Sequence, residues 1–495
     1  MKLKECAALF VASRCEGDPE TEIQGLAADN RKVRPGDLFI CIRGYQFDGH
    51  EFAADAVERG AAALVTEQKL ALDIPQLIVK DTRYAMSVIA AHFYGYPSSE
   101  LKVIGVTGTN GKTTITYLME RILEDQGKKL GLMGTIQTKI GGEVFESKNT
   151  TLESLDLQRN LRKMRDSGAE YAVMEVSSHA LELGRVKGCD FKTAIFTNLT
   201  QDHLDFHETM ENYRDAKSLF FSRLGNTFTP DVNRRKVAVL NADDPASKVF
   251  ARVTSAQVIT YGIDQEADVR ATNIRITHQG TMFQVESFAG HASITLKLIG
   301  KFSVYNALAA IAAGLAEGFA LEDIQTSLEK VSGVNGRFEA VMEGQPFLVV
   351  VDYAHTPDSL ENVLATIKDF AKGNIISVFG CGGDRDRTKR PVMGEIAAKY
   401  SDYVFVTSDN PRTEDPSLIL ADIEPGVVRG GLSPEQYSMI VDRKEAIEAA
   451  IEMASHEDVV LIAGKGHETY QEVNGIRTDF DDRIVAKHAI RRRFH

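Results

Sequence analysis

The sequence predicts an α/β protein of three domains, the middle one built around a phosphate-binding loop on a parallel sheet. Three observations lead there. The 495 residues exceed what one core holds, since single cores rarely grow past ~250–300 residues. A glycine-rich turn, Gly108-Thr109-Asn110-Gly111-Lys112-Thr113-Thr114, stands between an apolar stretch and a helical one. Apolar strands alternate with helical stretches on either side of it and start afresh after about residue 333. That alternation is the pattern of parallel sheets covered by helices.

Residues 1–98 read as a small α/β unit. Pro35-Gly36 makes a turn before an apolar strand that runs towards Arg43, residues 50–60 read as a helix and 61–65 as the next strand. Tyr96-Pro97-Ser98-Ser99 is the expected linker, because Pro and Ser end a helix. In residues 99–332, 101–106 read as a strand and 113–126 as a helix with apolar residues at helical spacing. Residues 171–176 and 191–197 are further apolar strands. Residues 254–299, rich in β-branched residues and turn signals, predict an antiparallel excursion, and 303–318 return to helix. Residues 333–495 predict a second doubly wound, Rossmann-like domain, with strands at 347–351, 375–379, 403–407 and 459–462. Polar loops follow three of these strands, at 352–355, 380–386 and 464–468, where such sheets place their ligand residues.

Net charge of −13 excludes nucleic acid as a general partner, because phosphate backbones need a basic face. Five scattered cysteines without CxxC spacing read as reduced thiols of a cytoplasmic protein. No leader is expected, because Glu5 interrupts the N-terminal run at once. No run of ~18 apolar residues predicts a membrane span.

A strand, a glycine turn and a helix in that order make an anion site, with backbone N–H groups and the positive helix end aimed at a phosphate. Lys112 reaches the outer oxygens and Thr113 is placed to hold Mg²⁺. The motif is a compressed variant, because Val106 stands where the usual spelling has its first glycine. Glu175 ends an apolar strand, where a metal ligand is wanted beside such a loop. The next strand runs into a His/Asp-rich stretch ending at His207, with His203 as a second candidate ligand or else a turn residue. Lys217 by itself reads as a solvated helix lysine. Asn306, Arg337, Asp352 and His355 read singly as polar residues at element ends, caps or turns. Arg385, Asp386 and the run Asp409-Asn410-Pro411-Arg412 read as carboxylate readers or as surface ion pairs, Arg being suited to bidentate pairing.

Together these stretches resemble the Mur ligases, ATP-dependent amino-acid ligases of peptidoglycan precursor synthesis, over essentially the whole chain. The resemblance is carried by Gly108–Thr114, Glu175-Val176-Ser177-Ser178-His179, Asn198–His203, Tyr305-Asn306-Ala307, Gly336-Arg337-Phe338-Glu339, Asp352–Pro357 and Gly464-Lys465-Gly466-His467-Glu468. Thr150-Thr151, Gly382–Asp386 and Asp409–Arg412 are similar to members that add the third amino acid to UDP-N-acetylmuramoyl-L-alanyl-D-glutamate. The Asp-Asn-Pro-Arg run is similar to members specific for meso-2,6-diaminopimelate, whose extra carboxylate an Arg reads bidentately.

The resemblance implies the remaining roles. ATP would be held by Gly108, Thr109, Asn110, Gly111, Lys112, Thr113 and Thr114, with Asn306, Arg337, Asp352 and His355. Mg²⁺ would be held by Thr113, Glu175, His203 and a carbamylated Lys217, and Lys112, Glu175, His203 and Lys217 form the catalytic set. Asn30 would hold the uridine end, and Thr150, Thr151, Ser177 and Arg185 the muramoyl dipeptide. Arg385, Asp409, Asn410, Pro411, Arg412, Gly464 and Glu468 would hold diaminopimelate. A monomer is expected. The chain departs from the family pattern at Leu152 and Asn335, where Pro is usual, and at Asn30, where Ser is common. The rival readings are the lysine-adding sister ligase, a folylpolyglutamate synthetase, an ATP-binding regulatory protein and an enzyme-like protein without activity.

Overall fold

The computed structural model describes residues 1–44, 47–147, 149–227, 229–277 and 279–494. Three principal sheets follow one another along the chain. The first has five strands in the order Arg14–Glu16, Gln76–Ile78, Ala63–Thr66, Asp37–Ile40, Gly25–Ala27, parallel except for the first. Asp37–Ile40 and Ala63–Thr66 are buried throughout, as expected of parallel strands covered on both faces. The helix Thr82–Phe93 covers one face with Ala85, Met86, Ile89 and Ala90. On the other face the expected helix at 50–60 begins as a 3₁₀ turn, Gly49–Phe52, and is α-helical only over Ala53–Glu58. Asp48 caps this tighter turn by accepting the His50 amide at 3.0 Å. The expected linker is a packed corner. Tyr96 turns left-handed at φ 51°, Pro97–Ser99 form a 3₁₀ turn, and Ser98 Oγ accepts the Asp190 amide at 3.0 Å.

The central sheet has eleven strands. Its parallel middle places Lys102–Thr107 between Tyr171–Glu175 on one side and Phe191–Phe196 on the other. The chain passes from one side of the first strand to the other, so this is the point where an open parallel sheet leaves a crevice at its carboxyl edge. The expected antiparallel excursion is narrower than 254–299. Gln257–Gly262 continues the parallel order, and within that range Val269–Thr277, Gly280–Ser287 and Gly290–Leu296 pair antiparallel with one another, extending the same sheet. At its opposite edge Leu130–Met133, Gln137–Ile140 and Glu143–Glu146 pair antiparallel as well. Lys301–Ala316 is buried on nearly every face and packs against the helix Lys112–Asp125, which is why it reads as alanine-rich without an exposed stripe.

The third sheet has the order Glu339–Val341, Leu348–Asp352, Val459–Ala463, Ile375–Phe379, Tyr403–Val406, Tyr437–Met439, parallel except at its first strand. Two apolar clusters cover its faces. A hairpin, Tyr470–Val473 with Ile476–Asp479, stands beside it. All five cysteines are free. Among the described residues no helix is long and apolar enough to cross a membrane.

Candidate active site

The loop after Lys102–Thr107 folds as expected and enters the helix Lys112–Asp125. Gly108 (φ 147°) and Gly111 (φ 87°) adopt conformations that favour glycine. Space demands it too: a Cβ at Gly108 would meet Thr197 Oγ1 at 1.8 Å, and one at Gly111 would meet Asn306 Oδ1 at 2.3 Å. The strand beside it straps the loop down. The amides of Thr109 and Asn110 donate to Asn198 O (2.9 Å) and Asn198 Oδ1 (3.0 Å), and Thr197 Oγ1 donates to Asn110 O at 2.6 Å. The first amides of the helix are left for an anion, as at any helix start. Lys112 Nζ folds back onto the carbonyls of Gly108 (2.9 Å) and Thr109 (2.8 Å).

Glu175 is 1% exposed and lies directly beside this loop. Its Oε1 accepts Thr113 Oγ1 at 3.0 Å and the Thr135 amide at 2.8 Å, and its Oε2 accepts Thr135 Oγ1 at 3.0 Å. Lys217 corrects the sequence reading, being 1% exposed instead of solvated. It points inward from the helix Met210–Ser222 and its Nζ donates to Gly108 O at 3.0 Å. Lys112 and Lys217 therefore share one carbonyl oxygen, which holds their nitrogens within about 6 Å of each other. Burial, and then Lys112, hold the Lys217 amine well below the ordinary lysine range. That favours loss of its proton, and the neutral amine is the form that reacts with carbon dioxide to give a carbamate.

His203 begins the short helix Leu204–His207 with φ 55°, its Nε2 3.2 Å from Asp202 Oδ2 and its ring 4.7 Å from that of His179. Burial lowers it to about 3, so its imidazole is neutral and keeps a lone pair. Among the described residues no group of three His, Cys, Asp or Glu could hold a metal. A hydroxyl and a carboxylate 3.0 Å apart nonetheless fit a hard cation that draws its other ligands from phosphate and water.

A cavity of about 500 Å³ opens between the central and third sheets. Asn110, Gly111, Thr113, Thr114, Asn306, Arg337 and Asp352 all line it. Asn306 is not at an element end, as the sequence suggested, but buried within Lys301–Ala316 with its carboxamide against Gly111. Arg337 reaches across from the third domain to donate to Thr113 Oγ1 at 3.1 Å, and its guanidinium lies 4.5 Å over the Tyr353 ring. Asp352 Oδ2 accepts the Phe338 amide at 2.6 Å, and burial raises its carboxyl to about 6. His355 lies outside this lining, with Nδ1 on Tyr353 O at 2.8 Å and burial lowering it to about 4.

Thr150, Thr151, Ser177 and Arg185 come together on the other side of Glu175. Thr135 Oγ1 stands 3.1 Å from Thr150 Oγ1, Thr151 Oγ1 donates to Glu175 O at 3.0 Å and accepts the Ser177 amide at 3.0 Å, and Arg185 donates to Thr151 O at 3.2 Å. Glu153 pairs with both Arg185 (2.9 Å) and Arg83 (3.5 Å). Arg83 and Glu153 line a cleft of about 1030 Å³ that runs to the first domain between Arg31, Arg34, Arg159 and Lys163. Asn30 lies outside that lining. Its Nδ2 is committed to Asp55 Oδ2 at 2.7 Å, and it borders an adjoining hollow with Phe47 and Phe52.

At the carboxyl edge of the third sheet three loops nest together. Arg412 (φ 53°) donates from its side chain to Gly383 O at 2.7 Å, and Asn410, just before Pro411, receives the Gly383 amide at 2.9 Å. Gly464 (φ 119°) lies so near Asp409 that a Cβ would meet its carboxylate at 2.5 Å. Arg385 is exposed and donates to the carbonyl of its neighbour Asp384 at 3.0 Å. Among the described residues neither Arg385 nor Arg412 pairs with a carboxylate. What braces these loops from below has no local motif in the chain. Arg443, fully buried, pairs with Asp482 at 2.8 Å and donates to Ser408 O and Ala463 O, the carbonyls just before Asp409 and Gly464. Arg390 is likewise buried and donates to Glu414 and Asp422. A lone Arg in each helix was the only trace.

Residues 106–314 match the Mur ligase middle domain, 336–466 the Mur ligase glutamate ligase domain and 22–94 the Mur ligase family catalytic domain. UDP-N-acetylmuramoyl-L-alanyl-D-glutamate–2,6-diaminopimelate ligase of Halalkalibacterium halodurans is 56% identical over 97% of this chain and 96% of its own. The protein of that name from Listeria monocytogenes is 49% identical over 100% and 99%. A solved structure of a ligase of that name has a TM-score of 0.69 at 34% identity, covering 100% of this chain and 99% of its own. MurF from Acinetobacter baumannii shares the fold, with a TM-score of 0.66 at 22% identity over 93% and 94%.

Proposed function

Because the chain belongs to the Mur ligase family, we propose that it joins meso-2,6-diaminopimelate to UDP-N-acetylmuramoyl-L-alanyl-D-glutamate at the expense of ATP. The observation that carries the amino-acid assignment is the pair Arg385 and Arg412, which both approach Gly382 and lack a carboxylate partner among the described residues. Diaminopimelate offers one more carboxylate than lysine, and a guanidinium fork matches it. The three functional units are taken as 1–98, 99–332 and 333–495, each holding one principal sheet. The uridine end would enter beside Asn30, with the diphosphate along the arginine-lined cleft and the dipeptide at Thr150, Thr151, Ser177 and Arg185. The protein would work as a cytoplasmic monomer.

The free D-glutamate carboxylate attacks the γ-phosphorus of ATP, ADP leaves, and an acyl phosphate remains. Lys112 leaves the loop carbonyls for the transferring phosphoryl group, and the helix amides at Gly111–Thr114 take the flanking phosphate oxygens. Thr113, Glu175, His203 and a carbamylated Lys217 would hold Mg²⁺, which when bound spreads the negative charge of the phosphates. Asn306, Arg337 and Asp352 would hold the nucleotide in the cavity between domains. His355, outside that lining, is assigned to the same nucleotide through its loop. The diaminopimelate amine then attacks the acyl carbon and phosphate leaves. The carbamate is tested by adding ¹³C-bicarbonate: a carbamate carbon resonance is expected, and its persistence in Lys217→Met would remove the assignment.

The test of the reaction is phosphate release from ATP and Mg²⁺ with the UDP-muramoyl dipeptide, comparing meso-diaminopimelate with L-lysine. Dipeptide-dependent release favouring diaminopimelate is expected. Release favouring lysine would keep the ligase and discard the role given to Arg412.

A further inference from the structure

Lys465 has no exposed side-chain surface, yet it lies in the loop after Val459–Ala463, among residues assigned to the amino acid. Its Nζ donates to Asn410 Oδ1 and to Glu468 Oε2, both at 3.0 Å. Asn410 Nδ2 donates to the same Glu468 oxygen at 2.8 Å, and the Glu472 amide donates to Asn410 Oδ1 at 3.0 Å. The three side chains close a ring. Both lone pairs of Asn410 Oδ1 are used, so a flipped carboxamide would set its NH₂ against an ammonium and an amide. Glu468 Oε2 has two donors, whereas Oε1 has none among the described residues.

We propose that Lys465 is a positioning residue that sets amino-acid specificity: it holds Glu468 with one oxygen turned to receive a substrate ammonium, and fixes Asn410 so that an N–H faces a substrate carboxylate. The inference rests on the ligase reading above. Its physical basis is that a carboxylate buried beside another needs a cation to remain an acceptor for an ammonium group. Burial and Asp409 both push Glu468 upward, and Lys465 and Asn410 oppose them. The other groups facing it are Tyr353, Tyr470 and, from beneath the loops, Arg443. The Lys465 ammonium also lies 5.4 Å over the Tyr470 ring, which fixes it from the hairpin side.

The experiment is steady-state kinetics of the full chain with Lys465→Met, Lys465→Gln, Glu468→Gln and the Lys465→Met/Glu468→Gln double variant. Lys465→Met is expected to raise KM for diaminopimelate at least tenfold, with KM for ATP and for the dipeptide within twofold of wild type. The acidic limb of kcat/KM for diaminopimelate is expected to move to higher pH. Lys465→Gln, which keeps a donor to Asn410 without the charge, is expected to move that limb in the same way. In the Glu468→Gln background Lys465→Met is expected to raise KM less than it does in wild type, because only its hold on Asn410 remains to be lost. An unmoved KM and acidic limb, or additive effects in the double variant, would overturn the proposal while the ligase reading stands. A wild-type protein that does not use diaminopimelate would overturn both.

Discussion

Replacing Glu175 separates what the carboxylate does for the fold from what it does for the reaction. It is 1% exposed and accepts three hydrogen bonds, from Thr113 Oγ1, the Thr135 amide and Thr135 Oγ1. In Glu175→Ala the two hydroxyls turn to other acceptors; Thr150 Oγ1 already stands 3.1 Å from Thr135 Oγ1. The Thr135 amide is left without a partner, at a cost of about 1–3 kcal/mol. Glu175→Gln keeps an oxygen for that amide and for Thr113, and Thr135 Oγ1 reverses to accept from the new NH₂, so its cost stays below about 1 kcal/mol. Turnover follows the charge instead. Loss of one preorganised electrostatic group costs about 10²–10³-fold in kcat, and loss of a ligand charge at a phosphoryl-transfer site is expected at the top of that range or above. The assay is phosphate release at saturating Mg²⁺, beside thermal melting of the three proteins. Both variants should lose at least about 10²-fold in turnover, with only the alanine variant less stable. A glutamine variant that keeps more than about a tenth of wild-type turnover, against the loss expected of a charge ligand, would refute the metal assignment.

Three further outcomes follow from the same geometry. Gly111→Ala places a Cβ 2.3 Å from Asn306 Oδ1 at φ 87°. It should weaken ATP binding about 5–30-fold through left-handed strain of about 1–2 kcal/mol alone, and adding Asn306→Ala should not restore it; isothermal titration with ATP reads both. His207, buried with Nε2 2.9 Å from Ser178 Oγ, is lowered to about 4 by burial. Unfolded chains bind this proton near 6.5, so its stabilising contribution is complete above that pH and is lost as pH falls from about 6.5 towards 4. His207→Gln should reduce proton uptake on acid unfolding by about one, measured by pH-stat titration; an unchanged uptake counts against a neutral buried His207. Arg337 reaching Thr113, and Asn110 Nδ2 donating to Asp358 Oδ2 at 2.6 Å, cross the cavity between two domains. Saturating nucleotide and dipeptide should therefore contract the molecule, and small-angle scattering curves unchanged by them would discard domain closure.

What could be read from the chain alone was whatever depends on neighbours in sequence. The loop from Gly108 to Thr114, the parallel strands ending in Glu175 and Asp352, and the polar loops after the third-domain strands are local patterns of glycine, apolar runs and turn residues. Their place at strand ends follows directly from those patterns. The individual roles of Lys217, Asn306 and the braces Arg390, Arg443 and Lys465 depended on which surfaces the fold covers. Periodicity on the helix Met210–Ser222 treats Lys217 as it would any exposed lysine. Only packing against the loop puts its amine on Gly108 O and within reach of Lys112. Asn306 likewise acquires a purpose only because its helix is buried against the loop's own helix. Local sequence determined the turns, strands and ligand-bearing loops of this protein. Tertiary structure decided which charges lose their water, and desolvation is what turns an ordinary lysine or arginine into a reactive amine or a fixed brace.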